Sequence, residues 1–238
     1  MLCGVVVTLV FWSRLARNDE RLFMIYLVGL AGAFLGAKIV YLAAEGWIYW
    51  HASERLIIWA TGKSVLGALL GGYVSVEIAK KCLGYTRATG DWFAMLVPMG
   101  IIIGRFGCLL HGCCLGVVCS PSWYAMYDRF GVSRWPAVPV EIGFNLLMIG
   151  VFFVLRHTHR LTGQHFHIYL IAYGSFRFFH EFLRDTPHLL GPLSGYQIAS
   201  LFVVVLGIIG YKRRVRCQQF SASLLESETD GKWVGPSI

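Results

Sequence analysis

The segment Trp92–Val118, WFAMLVPMGIIIGRFGCLLHGCCLGVV, decides the fold class because it is a long apolar block whose one formally charged residue is Arg105. A transmembrane helix needs about 20 predominantly apolar residues, and this segment meets that length. A surface helix of a soluble domain would instead show a regular polar face opposite its apolar one. The segment therefore predicts a helix that crosses a membrane.

Similar apolar blocks recur along the chain and predict an all-α membrane protein of about seven transmembrane helices. The predicted spans are residues 1–12, 22–45, 56–79, 92–118, 138–155, 165–183 and 195–211. Only 14% of the residues are charged, whereas soluble domains have about 25%. The blocks are too long for the alternating strands of an outer-membrane barrel. We expect residues 1–216 to form one membrane domain and residues 217–238 to form a disordered polar tail.

The distribution of Lys and Arg predicts the orientation of these helices. One set of alternate loops is rich in these residues, which are Arg14, Arg17, Arg21, Lys80, Lys81, Arg87, Arg156, Arg160, Lys212, Arg213, Arg214, Arg216 and Lys232. The opposite loops contain only Arg55, Arg129, Arg134 and Arg184. Since cytoplasmic loops carry the positive excess, we expect the N-terminus outside and the C-terminus inside. The net charge of +8 then reflects topology, and the chain lacks the motifs typical of nucleic-acid binding.

Glycine occurs in pairs spaced for close helix packing. The small-x-x-x-small pairs are Gly32 and Gly36, Gly67 and Gly71, Gly100 and Gly104, and Gly112 and Gly116. Such pairs allow two helix backbones to approach each other closely. The last two pairs follow Pro98 within a dense glycine run, which indicates a broken or kinked helix. Irregular backbone at membrane depth is tolerated where it lines a cavity, so this run points to a site.

Charged residues inside the predicted spans indicate where that site lies, because each central Arg or Lys costs about 2.5–3.5 kcal/mol to insert. Arg105 stands thirteen residues from either end of its segment, too deep for snorkelling. On the sixth span, a polar stripe at helical spacing places five side chains on one face. Its members are Tyr169, Tyr173, Arg177, Glu181 and Arg184, with His180 beside them. The excess of arginine over glutamate favours an anionic ligand, since a guanidinium can bind phosphate through two donors.

Cysteines cluster in the same region. Cys108, Cys113, Cys114 and Cys119 lie within a dozen residues, together with His111. Their spacing fits neither the usual zinc motifs nor ferredoxin runs. We therefore expect no metal site, and favour a disulfide near an oxidising outer face or small buried thiols.

Several motifs resemble those of the prolipoprotein diacylglyceryl transferases of bacterial inner membranes. The segment Gly104–Gly116 is similar to the family signature G-R-x-G-N-F-x-N-G-E-x-x-G, with Arg105 and all the glycines in register. The family pattern Y-G-x-x-R followed by E-x-x-R is matched by Tyr173, Gly174, Arg177, Glu181 and Arg184. Weaker matches along the rest of the chain include Lys38 in a G-x-x-x-G-[GA]-[RK] stretch, Glu141, and Gln197 at the start of the last helix.

The resemblance implies transfer of the diacylglyceryl group of phosphatidylglycerol, or a related anionic phospholipid, to a cysteine thiol in the lipobox of a prolipoprotein. It implies Arg105, Arg177 and Tyr173 as catalytic residues. It also implies that the lipid phosphate and its surroundings involve Arg105, Arg177, Glu181, Arg184, Lys38, Glu141 and Gln197. We expect Lys63, close to Leu66, to add positive charge there. No metal or other cofactor is expected. We expect a multi-pass monomer in the bacterial inner membrane whose site opens toward the outer leaflet.

The chain also departs from the family pattern. The family has a histidine in a G-x-S-x-H-G-G segment, where this chain has Leu66, and the asparagines and glutamate of the signature are replaced by Cys108, His111 and Cys113. We predict that His111 serves as the general base instead. Two other hypotheses remain open at this point. The protein could bind an anionic lipid or use another acceptor without this catalysis, or it could handle thiols or metals through its cysteine cluster.

Overall fold

The computed structural model describes residues 19–86 and 89–229, and this part of the chain is mostly helical. The helices are α1 (Glu20–Ala44), α2 (Arg55–Thr61), α3 (Val65–Cys82), α4 (Gly90–His111), α5 (Ala137–His157), α6 (His165–His180) and α7 (Gly195–Thr229). Short 3-10 turns occupy Gly46–Tyr49 and Glu181–Leu183. Two antiparallel hairpins pair β1 (Met126–Tyr127) with β2 (Ser133–Arg134), and β3 (His188–Leu190) with β4 (Leu193–Ser194).

The helices confirm a multi-pass membrane architecture. Within the described ranges, α1, α4 and α5 are long and apolar enough to cross a membrane, and α2 with α3 makes a fourth candidate if that bent pair is one span. Helices α6 and α7 coincide with the predicted spans 165–183 and 195–211, so the pattern fits the predicted helix count. The predicted span 1–12 lies outside the described residues. Helix α7 continues into the range that we assigned to the polar tail, and residues 230–238 also lie outside the described residues.

The prediction of one continuous helix over residues 56–79 was wrong. Helices α2 and α3 meet at an angle of 58°. Ser64 begins α3 by accepting a hydrogen bond from the Gly67 N–H at 3.3 Å. The Lys38 Nζ atom stabilises the free end of α2, because it donates to the carbonyls of Trp59 at 2.6 Å and of Gly62 at 3.0 Å, and to that of Ala60. The break is therefore held by a lysine side chain from α1.

The predicted span 92–118 also ends earlier than expected. Helix α4 runs without interruption through Pro98 and stops at His111, where Gly112 adopts a left-handed conformation with φ of 61°. Glycine reaches this conformation without the steric cost that a Cβ atom brings. Arg105 thus lies six residues before the last helical residue, or about 9 Å along the helix axis. It is closer to the helix end than its position in the sequence block indicated.

The first two glycine pairs pack as predicted and the third does not. A Cβ atom on Gly36 would lie 2.3 Å from the Gly67 carbonyl oxygen, and one on Gly71 would lie 2.2 Å from the Gly32 carbonyl oxygen. These contacts hold α1 against α3 at a distance that only glycine permits. On α4, by contrast, a Cβ atom on Gly104 or Gly100 would meet open space. That face of α4 borders a cavity rather than another helix.

Candidate functional site

A buried group of five charged side chains lies where α4, α5 and the end of α6 meet. We call it the arginine–glutamate cluster, and its members are Arg105, Glu141, Arg177, Glu181 and Arg184. Helix α4 supplies Arg105, whose Nη2 atom lies 2.8 Å from Glu141 Oε2 on α5. The Tyr173 hydroxyl of α6 donates a hydrogen bond of 2.8 Å to the other oxygen of the same carboxylate. Glu141 is fully buried, so these partners are needed to offset its desolvation.

The second half of the cluster is built along one stretch of chain. Arg177 on α6 places Nη1 2.6 Å from Glu181 Oε2. The α-helix ends at His180, so Glu181 lies in the following 3-10 turn. Arg184 is held less closely, with Nε 3.6 Å from Glu181 Oε2 and Nη1 3.9 Å from Glu141 Oε2. These two nitrogen atoms are buried and have no hydrogen-bond partner among the described residues.

The composition of the cluster leaves it with a formal charge of one positive unit, because its arginines outnumber its glutamates by one. Arg105 and Arg177 each have a close carboxylate partner, whereas Arg184 has none within hydrogen-bond distance. A buried donor without a partner costs about 1–3 kcal/mol. An anion that entered the cluster would balance its charge and accept from Arg184.

Backbone pairing fixes Arg184 beside the end of α4. The residues after Gly112 run between β2 and the 3-10 turn, and bridges join Gly116 to Arg184 and Val118 to Arg134. A Cβ atom on Gly116 would lie 2.5 Å from the Trp135 carbonyl oxygen and 2.9 Å from that of Leu183, so this position requires glycine. Gly116, the last glycine of the segment Gly104–Gly116, therefore allows the chain to pack closely beside Arg184.

Two ion pairs of Arg134 hold the β1–β2 hairpin next to the segment that contains Arg184. Arg134 contacts Asp128 at 2.8 Å and Asp185 at 2.9 Å. The hydrogen bond from Arg134, helped by backbone N–H donors from Val132 and Phe130, lowers the pKa of Asp128 from its ordinary value. Asp128 therefore stays ionised at neutral pH and holds Arg134, which in turn joins the hairpin to Asp185.

A cavity of about 1250 Å³ opens beside the cluster. Arg105, Arg177 and Arg184 all line it, as do Gly100 and Gly104 of α4. The remaining lining is largely apolar and comes from helices α1, α3, α4, α6 and α7. This volume exceeds the roughly 300–1,000 Å³ typical of small-molecule sites. A cavity with largely apolar walls and three arginines grouped in the cluster suits a molecule that has an anionic headgroup and hydrocarbon chains.

The other predicted binding residues take different places. Lys63 lines the cavity, and its Nζ atom lies 5.6 Å from the centre of the Phe34 ring. Lys38 holds the α2–α3 break rather than the cluster. Gln197 accepts a 2.8 Å hydrogen bond from the Ser194 N–H, and the Ser194 hydroxyl donates to Glu181 at 3.5 Å. Gln197 therefore acts on the cluster through Ser194.

The positions of His111 and His180 do not identify a general base for the cluster. His111 is exposed at the end of α4 and does not line the cavity, while its carbonyl accepts a 2.9 Å hydrogen bond from Arg129. His180 is buried and stacks on Phe176 with 4.9 Å between the ring centres. Leu66, where the family pattern has its histidine, is buried at the start of α3 and lines the cavity.

One residue of the cavity wall was missed from the sequence, and the cysteine cluster was predicted without its place in that wall. Glu45, which follows α1 directly, lines the cavity near the cluster. A carboxylate at the end of an apolar block was a usable signal, since such groups are rare there. Three cysteines also line the cavity beside Arg105, namely Cys108, Cys113 and Cys114. Their convergence depends on the turn at Gly112, which lies in the glycine run where we predicted a broken helix but not the direction of the chain after it.

Comparisons with known proteins give a consistent match. The family model described as prolipoprotein diacylglyceryl transferase matches residues 1–212. The chain is 30% identical over 216 residues to a phosphatidylglycerol–prolipoprotein diacylglyceryl transferase of Clostridium tetani, covering 86% of this chain and 87% of the relative. A protein of the same description from Paracidovorax citrulli is 32% identical over 210 residues, covering 84% and 75%. One from Clostridium perfringens is 28% identical over 223 residues, covering 89% and 86%. No solved structure matches the chain.

Proposed function

This chain belongs to the prolipoprotein diacylglyceryl transferase family, and from that premise we propose that its arginine–glutamate cluster works in the transfer of the diacylglyceryl group of phosphatidylglycerol to a prolipoprotein cysteine. The protein is a transferase. One observation supports the role of the cluster above all others: three buried guanidinium groups line a single cavity while two carboxylates neutralise them only in part.

The cluster suits the leaving group of this reaction. When the bond between the glyceryl carbon and the phosphate oxygen breaks, negative charge grows on the departing glycerol phosphate. Fixed cations in a site without bulk water stabilise such charge strongly and need no reorganisation. Arg184 offers its unused Nε and Nη1 donors directly, while Arg105 and Arg177 are oriented by Glu141 and Glu181. Guanidinium groups can bind phosphate oxygens through two parallel donors.

The cavity suits the lipid. Its apolar wall accommodates acyl chains, and the missing side chains at Gly100 and Gly104 leave room along α4 next to Arg105. Both glycines are exposed, so a lipid reaches the cluster from the bilayer without crossing a layer of packed helices. The headgroup then meets the arginines as the chains stay in apolar surroundings.

The location that we propose is the bacterial inner membrane, with the site toward the outer leaflet. The Lys and Arg distribution supports this, because it puts the hairpin, the end of α4 and Arg184 on the side with few positive charges. The acceptor is the lipobox cysteine of a prolipoprotein. The protein is proposed to act as a monomer.

A transfer assay tests the function. Purified protein is mixed with phosphatidylglycerol carrying labelled acyl chains and with a lipobox peptide, and labelled peptide and free glycerol phosphate are measured together. We expect transfer by the unaltered chain and its loss in Arg105→Ala and Arg177→Ala. Arg55→Ala is the matched control, since Arg55 is exposed and does not line the cavity. Equal activity of all three variants would exclude the proposed role of the cluster.

In the described part of the chain, no histidine of the cavity wall lies beside the cluster, and this favours one other function. Among the described residues, His167 is the histidine that lines the cavity, and it contacts Tyr73 on α3. A protein without a means to ionise the acceptor thiol would bind an anionic lipid and release it unchanged. Tight binding of phosphatidylglycerol by the purified chain, with no glycerol phosphate released, would establish that function.

A further inference from the structure

The three cysteines beside Arg105 form a compact thiol site. The Sγ atoms of Cys108, Cys113 and Cys114 all lie within 4.8 Å of one another. Cys119 is separate, because its sulfur contacts the Ser133 hydroxyl at 3.7 Å. The chain therefore provides a three-sulfur group and, close by in sequence, a cysteine that does not belong to it.

The turn after α4 brings these sulfurs together. Gly112 takes φ of 61°, the chain reverses, and the Cys113 N–H donates to the Cys108 carbonyl at 3.1 Å. Cys114 also has φ of 61°, which is uncommon for a residue with a side chain. Strained backbone of this kind persists where the surrounding structure or a ligand requires it. Its effect here is to direct two thiols back toward the last turn of α4.

The spacing of the sulfurs fits a metal ion. Zinc binds thiolates at about 2.3 Å, which places two sulfur ligands about 3.8 Å apart in a tetrahedral site and about 4.0 Å apart in a trigonal one. Cys108 Sγ and Cys114 Sγ are 3.9 Å apart. A disulfide requires about 2.05 Å, so the observed pair would have to close by nearly half its separation. Ligation needs only small movements.

Position and charge fit a catalytic rather than a purely structural ion. All three cysteines line the cavity that holds the arginines, and Cys113 is exposed, so an ion has a path of entry. Three thiolates around a divalent ion carry one negative charge. Arg105 is placed to balance it, with Nη1 3.9 Å from Cys108 Sγ. Catalytic zinc sites have three protein ligands and keep a fourth position open, whereas structural sites are closed by four.

We propose that Cys108, Cys113 and Cys114 bind a thiophilic divalent ion, Zn²⁺ above all, and that its fourth position takes the acceptor cysteine. This inference rests on the proposed function and replaces His111 as the source of the thiolate. A thiol that coordinates zinc is deprotonated outright. The ion thus supplies the ionisation that the family's histidine position cannot supply here, where Leu66 stands.

The proposed transfer to the acceptor thiol needs neither an oxidant nor a reductant. The acceptor thiol loses its proton to water on the exposed side of Cys113 as its sulfur binds the ion. The sulfur then attacks the glyceryl carbon that bears the phosphate, so a C–S bond forms while the C–O bond breaks. The electron pair of that C–O bond leaves with glycerol phosphate, which the arginines bind. The oxidation state of the metal does not change.

Metal content tests the site independently of activity. Full-length protein is purified with its tag removed, loaded with Zn²⁺, freed of unbound metal, and measured by mass spectrometry of the elements. We expect one zinc per chain in the unaltered protein and in Cys119→Ser. In Cys108→Ser, Cys114→Ser and the triple serine variant we expect its loss. Zinc X-ray absorption should show three sulfur neighbours at about 2.3 Å.

Activity of the same preparations tests the role of the ion. Removal of zinc by a chelator should lower lipobox transfer by at least about 100-fold, the scale of a lost general base, and Zn²⁺ should restore it. Cys119→Ser, which leaves the three-sulfur group intact, should leave transfer near that of the unaltered chain.

Three results would overturn the inference. Transfer by a protein that binds no zinc excludes the metal site but leaves the transferase function standing. Zinc bound in the unaltered chain and in the triple serine variant alike excludes these ligands. A Cys108–Cys114 disulfide in active protein shows that the thiols are a redox pair. If instead the zinc-loaded protein binds metal as expected but transfers nothing, the site stands and the proposed function fails.

Discussion

Replacement of Arg184 by alanine should separate ligand binding from folding in this cluster. The Arg184 Nε and Nη1 atoms lie 3.6 and 3.9 Å from their nearest carboxylate oxygens, beyond hydrogen-bond distance. Arg184 therefore contributes little to the internal ion pairing. Its removal takes the cluster from one net positive charge to none and deletes the donors that we assign to the phosphate.

The expected magnitude follows from those contacts. A hydrogen bond to a charged group contributes about 1.5–3 kcal/mol, so kcat/KM for phosphatidylglycerol should fall about 10- to 150-fold. Arg105→Ala should behave differently, because Arg105 is 2.8 Å from the fully buried Glu141. Breaking such a pair leaves an unpaired buried charge and costs about 3–5 kcal/mol of stability.

Two measurements on each variant make the comparison. Transfer kinetics at varied phosphatidylglycerol give kcat/KM, and thermal unfolding in detergent gives the midpoint temperature. We expect Arg184→Ala to lose activity while its midpoint stays near that of Arg55→Ala, and Arg105→Ala to lose both. The reasoning is refuted if Arg184→Ala unfolds as early as Arg105→Ala while its kcat/KM is unchanged.

Three other predictions follow from contacts in the same region. Gly104→Leu should block transfer and leave the protein folded, since a Cβ atom there meets open space. Gly36→Leu should instead prevent folding, because its Cβ atom would lie 2.3 Å from a backbone oxygen. Transfer activity and size-exclusion profiles distinguish the two variants. Tyr173→Phe should lower stability by about 1–3 kcal/mol, because Glu141 loses its 2.8 Å hydrogen bond, and chemical denaturation measures the change. The lowered pKa of Asp128 means that its ion pair with Arg134 stabilises the hairpin above the ordinary carboxyl pKa and loses this effect as the pH falls through the lowered value. The hydrogen-exchange protection factors of the β1–β2 hairpin, corrected for the intrinsic exchange rate at each pH, should therefore fall on acidification, and Asp128→Asn should remove that dependence.

The arginines and their partners could be predicted because charge in an apolar block is rarely accidental. Arg105 and Arg177 were identified by their insertion cost, and Glu181 and Arg184 by helical spacing from Arg177. The structure brings all four together with Glu141, and the three arginines of this group line one cavity. The predicted continuous helical stripe was nevertheless wrong in one detail. The α-helix ends at His180, and backbone pairing with Gly116 places Arg184.

Features that depend on tertiary contacts escaped prediction. The α2–α3 break needs Lys38 from another helix to hold its carbonyls, and hydropathy does not register such a contact. The end of α4 at His111 depends on the left-handed turn at Gly112. A run of apolar residues through that turn looks helical by composition. The same turn exposes His111, whose role as the base stays a prediction, and brings three cysteine sulfurs within 4.8 Å of one another.

A structure determined with bound phosphatidylglycerol tests the central claim most directly. Charge-assisted hydrogen bonds are about 2.7–2.9 Å long, and the account predicts phosphate oxygens at that distance from the Arg184 guanidinium, with Arg105 and Arg177 around the same headgroup. A phosphate bound elsewhere, with the arginines still occupied only by Glu141 and Glu181, would contradict it.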